Sequence, residues 1–169
     1  KEIGMEALGT NCKCESIEDF PILIKLIDAD DKLSVQVHPD DEYAAAHEKD
    51  VRGKTEAWYI IDCDDDAELI LGFNREVSVE EFKEAAKSDA MMDICNKIKV
   101  KKGDLFFIES GTMHAICKGI LLAEVQQNSN TTYRVYDYGR LQNGKPRELH
   151  IDKAVDEKHT YVYSLIKIG

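Results

Sequence analysis

The sequence has few basic residues relative to acidic ones, no long apolar run and few prolines. Lys and Arg number 22 against 33 Asp and Glu, which gives a formal net charge of −11. That charge argues against a nucleic-acid partner, because phosphate contacts need clustered basic side chains. No apolar run approaches the roughly 20 residues that span a bilayer, and the first ten residues lack the apolar core of a signal peptide. We therefore expect a soluble, cytoplasmic protein without a membrane partner.

The remaining composition is that of an ordinary folded protein. Only 3 Pro and 10 Gly occur among 169 residues, and 43% of the residues are hydrophobic, which argues against a disordered chain. Five cysteines, an odd number, do not form a disulfide framework, so we expect reduced thiols. The length predicts a single domain. Because the chain begins with Lys1 rather than Met, we expect it to be part of a longer protein.

Short runs of β-branched and aromatic residues dominate the sequence and predict a mostly β protein. The predicted strands are 22–27, 33–37, 57–61, 67–73, 98–100, 105–108, 120–126 and 131–138. One helix is predicted to begin after Ser78, with Glu81 three residues later as in a capping box. A shorter, alanine-rich helix is predicted over 42–48. Many short strands with lateral helices indicate a small barrel or sandwich.

The first segment of chemical interest is 33–39, in which polar and apolar residues alternate. Gln36 and His38 therefore point to the same side of the predicted strand, about 7 Å apart. This spacing suits two ligands that converge on one ion. On this segment alone, however, a solvated strand face with an ordinary histidine is the more common structure.

A second segment places Lys54 and Glu56 at the entrance of the predicted strand 57–61. Residues two apart in a strand share a face, so the carboxylate can bind a cation while the ammonium holds an anion nearby. The plain alternative is an exposed Lys–Glu pair. Trp58 follows on the same strand, and we assign it to the core.

The third segment, 103–114, is more specific. It has a turn glycine, a mostly apolar strand, a second turn glycine at Gly111, and His114 three residues further on. This spacing resembles the second motif of the cupin family, whose closing His is a metal ligand inside a small β-barrel, although Glu109 replaces the usual Pro. In the first cupin motif two His are followed by a Glu. Here Gln36 takes the place of the first His, and Glu56 lies farther along than usual.

Four strings in order resemble the type I mannose-6-phosphate isomerases, a branch of the cupin superfamily. They are 36–44, 53–56, 110–115 and 126–138, and 147–152 extends the resemblance. The resemblance implies a cupin-type β-barrel, or jelly roll, with one or two short inserted helices. It also implies that residues 1–169 form a single cupin-like catalytic domain that lacks the N-terminal and C-terminal parts of a longer family chain.

The resemblance implies one Zn²⁺ per chain, held by Gln36, His38, Glu56 and His114. Two imidazoles, a carboxylate and a neutral amide oxygen are reasonable zinc ligands and leave positions for water or substrate. Cys117 stands where the family usually has glycine. We expect its side chain to narrow the site or to offer a second soft ligand.

The implied reaction interconverts mannose 6-phosphate and fructose 6-phosphate through an enediol, so the site needs a general base and a counter-charge for an oxyanion. The residues that match the family's active-site positions are Lys54, Glu124 and Arg134. Arg134 alternates with apolar neighbours, so its side chain can point inward and pair with a bound anion. The alternative is a structural ion pair between Arg134 and Asp137 or Glu124.

Three functions stay open at this point. The first is the isomerase with a hexose 6-phosphate substrate, and the second is a non-catalytic, truncated zinc-binding cupin module that binds sugar phosphate. The third is a metal-dependent oxygenase, but oxygenases favour His-rich iron sites, and Gln36 together with Lys54 and Arg134 argues against it. The sequence predicts neither an oligomeric state nor which group abstracts the proton.

Overall fold

Two antiparallel five-stranded sheets account for most of the computed structural model, which describes residues 4–12, 20–48, 52–155 and 167–168. The strands are β1 (Ile22–Ala29), β2 (Val35–Val37), β3 (Glu56–Cys63), β4 (Glu68–Phe73), β5 (Cys95–Lys99), β6 (Leu105–Ile108), β7 (His114–Ile116), β8 (Ile120–Gln127), β9 (Tyr133–Tyr136), β10 (Leu141–Gln142), β11 (Lys145–Pro146) and β12 (Lys167–Ile168). Sheet A has the order β1-β8-β3-β6-β12, and sheet B has the order β5-β4-β7-β2-β9. Strands β10 and β11 form a separate hairpin. The mostly β prediction is confirmed.

Four short α-helices and one 3₁₀ turn complete the described chain. They are α1 (Asp41–His47), α2 (Val79–Ala85), α3 (Met91–Ile94), α4 (Ile151–Ala154) and the 3₁₀ helix Gly4–Leu8. The predicted cap is confirmed, since the Ser78 hydroxyl accepts a hydrogen bond from the Glu81 amide at 3.2 Å. None of the helices in the described ranges combines the length and the apolar character that crossing a membrane requires.

The core consists of two apolar clusters, one on each face of sheet B. The first lies between the two sheets and contains inward-facing side chains of both, among them Trp58, Ile60 and Leu69. The second packs the other face of sheet B against the helices, for example through Phe82 of α2 and Met91 of α3. Sheet B is therefore buried on both faces, and its interior face is where polar site residues are least expected.

Several strands begin or end at residues other than the predicted ones, because hydrogen-bonded pairing with a neighbouring strand sets their ends. Strand β1 continues to Ala29 because Asp28 and Ala29 pair with the start of β8. Strand β5 begins at Cys95, earlier than predicted, because Cys95 pairs with Phe73 of β4. Strand β7 was not predicted, since three residues carry too little periodicity, and it is defined by its partners β2 and β4.

Two glycines bring three loops together at one end of the sheets. A Cβ atom at Gly53 would lie 2.4 Å from the carbonyl carbon of Asp40, so only glycine allows the chain before β3 to pass this close to the end of β2. Gly111 has a φ of 80°, and its amide donates to the carbonyl of His38 at 2.8 Å. The segments that carry the candidate site residues are thus held against one another by backbone contacts.

Candidate metal centre and active site

A buried cluster of His38, Glu56 and His114 lies at this end of the two sheets. Among the described residues these three offer ligand atoms that all lie within 4.8 Å of one another. His38 follows β2, Glu56 begins β3 and His114 begins β7, so both sheets contribute. The rings of the two histidines are 4.8 Å apart between centroids. The strand register explains the meeting, because Gln36 of β2 pairs with His114 across sheet B.

Each histidine is oriented by a backbone carbonyl. His38 Nδ1 lies 3.0 Å from the carbonyl oxygen of Thr131, and His114 Nδ1 lies 2.8 Å from that of Thr112. A carbonyl oxygen can only accept, so in each ring Nδ1 carries the proton and Nε2 presents its lone pair to the cluster. This is the arrangement that metal-ligating histidines adopt in proteins.

Glu56 is the anionic centre of the cluster. Its Oε1 lies 3.2 Å from His38 Nε2 and is also contacted by the ammonium of Lys54, which is itself 3.1 Å from His38 Nε2. Despite these neighbours Oε1 accepts no hydrogen bond of good geometry and is buried. Its second oxygen, Oε2, accepts a hydrogen bond from the indole N–H of Trp58 at 3.0 Å.

The site keeps its histidines neutral and its carboxylate charged. Burial lowers the pKa of His38, and the charge of Lys54 adds to this, while the close contact with the Glu56 carboxylate opposes it. Burial likewise lowers the pKa of His114 to about 3. For Glu56 burial would raise the pKa, but the close contact with His38 and the nearby charges outweigh it and lower the pKa well below its usual range. Neutral imidazole and ionised carboxylate are the forms that bind a metal.

The donor set suits a divalent ion such as Zn²⁺. It offers two imidazole lone pairs and a buried carboxylate oxygen that accepts no hydrogen bond of good geometry, and an ammonium already lies against two of these atoms. The Gln36 amide is the fourth predicted ligand, and its Nε2 lies 3.5 Å from His114 Nε2. Amide nitrogen and oxygen exchange places by a half-turn of the side chain, so the amide oxygen can also face the cluster.

A second buried carboxylate, Glu124 of β8, lies beside the cluster. Its Oε2 accepts from the Trp58 indole at 3.0 Å, and its Oε1 accepts from Lys25 at 2.9 Å. Lys25 also contacts the side-chain oxygen of Gln126. Lys25 was not predicted as a site residue, although it is the one charged residue in the apolar run 22–27. The polar role of Trp58 was missed as well, because only the fold shows what its N–H meets.

Arg134 points into a cavity and not into a structural ion pair. It lies beside Gln36 across sheet B, and its guanidinium donates to the Ser34 hydroxyl at 3.3 Å and to the carbonyl of Glu148 at 3.0 Å. Within the described ranges no carboxylate lies at ion-pair distance from it. Asp137 is instead held by Arg140 and Arg147, so the alternative interpretation of Arg134 is not what the structure shows.

The cavity beside Arg134 has a volume of about 550 Å³ and a basic lining. Its residues include Lys32, Ser34, Gln36, Arg134, Arg140 and Arg147, and one acidic residue, Asp31, which lies 3.5 Å from Arg140. Because Gln36 reaches both the cavity and His114, the cavity adjoins the His–Glu–His cluster. A small anion entering it meets several cationic side chains.

Cys117 does not lie in the His–Glu–His cluster. Its side chain packs against the helix-covered face of sheet B, on the apolar cluster that includes Met91 and Phe82. Burial raises the pKa of its thiol. The expectation that Cys117 narrows the site or adds a soft ligand is not supported by this placement.

The fold and the cluster together define a cupin-type protein with a candidate metal site in its interior. The family described as phosphomannose isomerase type I, catalytic domain, matches residues 4–83. The protein named "Probable mannose-6-phosphate isomerase GmuF" from Bacillus subtilis is 57% identical over 138 residues, which cover 81% of this chain and 44% of that relative. The mannose-6-phosphate isomerase ManA of the same organism is 50% identical over 157 residues, covering 88% and 50%. Over the matched residues the chain is similar to the type I phosphomannose isomerases.

The three-dimensional comparison agrees with the sequence comparison. The crystal structure of the mannose 6-phosphate isomerase from Bacillus subtilis superposes with a TM-score of 0.76 at 49% identity, covering 85% of this chain and 47% of that one. The predicted cupin-type fold is confirmed, with two facing sheets. The chain spans about half the length of the curated relatives that it matches.

Proposed function

We propose that this chain forms the catalytic domain of a zinc-dependent isomerase that interconverts mannose 6-phosphate and fructose 6-phosphate through an enediol. The observation that carries the proposal is the preorganised cluster. Both imidazole Nδ1–H groups are held by backbone carbonyls, so that two Nε2 lone pairs and Glu56 converge in a buried site. Preorganised ligands need little rearrangement to bind an ion, and so their orientation favours metal binding over a role in packing.

The metal would be held by His38, His114, Glu56 and the amide of Gln36. A Zn²⁺ ion there supplies a Lewis acid that stabilises negative charge developing on a sugar oxygen. Lys54 is buried and contacts both His38 and Glu56, so it holds positive charge at the same place. Its ammonium can donate a hydrogen bond to a substrate oxygen next to the ligands.

Substrate binding is assigned to the basic cavity. Arg134 has no carboxylate partner among the described residues and lines the cavity together with Gln36. A phosphorylated sugar supplies the anionic oxygens that a guanidinium binds through paired N–H groups. Arg134 is therefore assigned to orient the substrate with its reacting carbons toward the cluster and to counter the negative charge of the enediolate.

Proton transfer between C1 and C2 is assigned to Glu124, with Lys54 as the assisting cation. Glu124 is buried, and both of its oxygens accept hydrogen bonds, from Lys25 and from Trp58. These contacts fix the carboxylate beside the cluster, and a carboxylate is a group that can act as a general base.

The experiment that tests the proposal measures metal content and turnover on the same preparation. We expect about one zinc per chain by elemental analysis, and formation of fructose 6-phosphate from mannose 6-phosphate that stops on chelation and returns on adding zinc. Stoichiometric zinc without turnover would contradict the isomerase proposal and favour the non-catalytic metal-binding module. Iron with oxygen consumption would favour the oxygenase.

A further inference from the structure

Trp58 is the one tryptophan of the chain, and its position is unusual for a core residue. It is fully buried in the apolar cluster between the sheets, as the sequence predicts. Its indole N–H, however, is shared between Oε2 of Glu56 and Oε2 of Glu124, at 3.0 Å from each. The ring stands edge-on to His114 with 5.3 Å between centroids. Trp58 thus contacts the candidate metal ligands and the candidate base at once.

The strand register produces this bridge. In sheet A, Trp58 pairs with Glu124, and Glu124 pairs with Lys25 on the other side. Glu56 lies two residues before Trp58 and shares its face of β3. The result is a continuous polar row in which the indole lies between two carboxylates and a lysine stands at each end: Lys25, Glu124, Trp58, Glu56 and Lys54.

We propose that Trp58 is a positioning residue, whose indole N–H couples Glu56 to Glu124 and fixes which oxygen of Glu56 faces the metal. An indole N–H can donate but cannot accept or change its protonation state, so it always engages a carboxylate oxygen. With Oε2 engaged by Trp58, Oε1 is the oxygen that faces His38. The same donor lies between two buried carboxylates that would otherwise repel each other. The inference rests on the proposed metal centre.

The first test is the replacement Trp58→Phe, which keeps an aromatic ring and removes the donor. Outer-shell partners of a metal site typically change metal affinity by about 10–100-fold, so we expect zinc affinity, measured by competition with a chelator, to fall by about that factor. Ile60→Val is the matched control, because Ile60 is buried on the same strand and carries no polar group. An unchanged affinity in the folded Trp58→Phe chain would overturn the inference.

A second measurement does not depend on that variant folding. With one tryptophan, the ¹⁵N-labelled chain gives one indole N–H resonance. We expect it to exchange slowly with solvent, to move when zinc is added, and to move in the metal-free chain when Glu124→Gln weakens one acceptor. If the chemical shift of this resonance were the same in wild type and Glu124→Gln, the indole bridge between Glu56 and Glu124 would not exist, whether or not metal binds.

The two tests separate this inference from the proposed function. If the wild-type chain bound no metal, the metal centre itself would be wrong, and the Glu124→Gln shift would still decide the indole bridge. If wild type and the folded Trp58→Phe chain bound zinc equally well, the metal centre would stand and the positioning role of Trp58 would fall.

Discussion

At the scale of single residues, the site depends on which groups are paired and which are not. Glu56 and Glu124 accept hydrogen bonds from side chains of the site, whereas among the described residues the guanidinium of Arg134 donates to a hydroxyl and a carbonyl oxygen and to no carboxylate. A partly buried cation without a carboxylate partner is the position at which an anionic ligand adds the most. Arg134 is therefore the residue at which the proposed function is tested at this scale.

Replacing Arg134 with Ala should separate catalysis from metal binding. We expect turnover to fall by at least about 100-fold, because a group that stabilises developing charge is lost. Metal content should be unchanged, since Arg134 is not one of the ligands. Arg75→Ala is the matched control, because Arg75 is exposed and pairs with Glu81 on the surface. Retained turnover in Arg134→Ala would refute its assigned role.

At the scale of elements, the loop before β3 decides whether Lys54 and Glu56 reach the cluster. Lys54 is tied to β2 by its amide, which donates to the carbonyl of Pro39 at 2.9 Å. Gly53 allows this approach, because any side chain there would collide with the backbone at Asp40. The loop thus brings Lys54, just before β3 of sheet A, and Glu56, at the start of β3, into contact with His38, which follows β2 of sheet B.

Gly53→Ala should therefore damage the site through the backbone. We expect a loss of about 1–3 kcal/mol in the free energy of unfolding, as for other overpacked positions, together with weaker zinc binding. Gly144→Ala is the control: its φ is 76°, so it adds strain, but its Cβ would meet nothing. Urea unfolding and chelator competition measure both effects. Equal behaviour of the two variants would contradict the account.

Asp137, which follows β9, holds Arg140 and Arg147 in place. Burial alone would raise its pKa, but the hydrogen bonds from Arg147 and Arg140 have a larger effect in the opposite direction. The pKa of Asp137 therefore lies below its usual value. A depressed pKa stabilises the folded chain above the pKa of the unfolded carboxyl, and this contribution disappears as the pH falls through the folded value.

Asp137→Asn should accordingly lose about 1–3 kcal/mol of stability near pH 7, because the arginines lose a charged acceptor. The difference from wild type should shrink as the pH falls below about 4, where the carboxyl of the unfolded chain begins to be protonated, and disappear as the pH falls through the lower pKa of the folded chain. Urea unfolding at both pH values checks this. A deficit that is equal at neutral and acid pH would mean that the ion pairs contribute nothing.

The sequence predicted the individual strands and helices better than the contacts between them. Alternation correctly placed Gln36, His38 and Arg134 on faces opposite their apolar neighbours, because that pattern is local. The contact between Trp58 and Glu124 joins residues 66 positions apart, and it depends on the register of β3 and β8. The carbonyls that orient His38 and His114 leave no trace in side-chain identity, so no sequence pattern could reveal them.

At the scale of the whole molecule, charge is divided between the surface and the site. The chain carries a net charge of −11, yet the cavity beside the cluster is lined by arginines and a lysine. A small phosphate can therefore be bound locally by a protein whose surface repels large polyanions. The distribution accords with the proposed sugar-phosphate substrate.

Metal binding should stabilise the whole fold, because the cluster joins both sheets. A ligand that binds only the folded chain adds about 2.7 kcal/mol at a concentration 100-fold above its dissociation constant. We expect zinc to raise the thermal midpoint of the wild type and to leave that of His114→Ala unchanged. Differential scanning calorimetry with and without zinc measures this. An equal rise in both chains would place the ion elsewhere.

The central claim is that Gln36, His38, Glu56 and His114 together hold one metal ion. Anomalous X-ray diffraction at the zinc absorption edge, on crystals of the zinc-loaded chain, tests it most directly. We expect one strong peak per chain, bounded by Nε2 of His38, Nε2 of His114, a carboxylate oxygen of Glu56 and the amide oxygen of Gln36. A peak at any other position, or none at this cluster, would contradict the account.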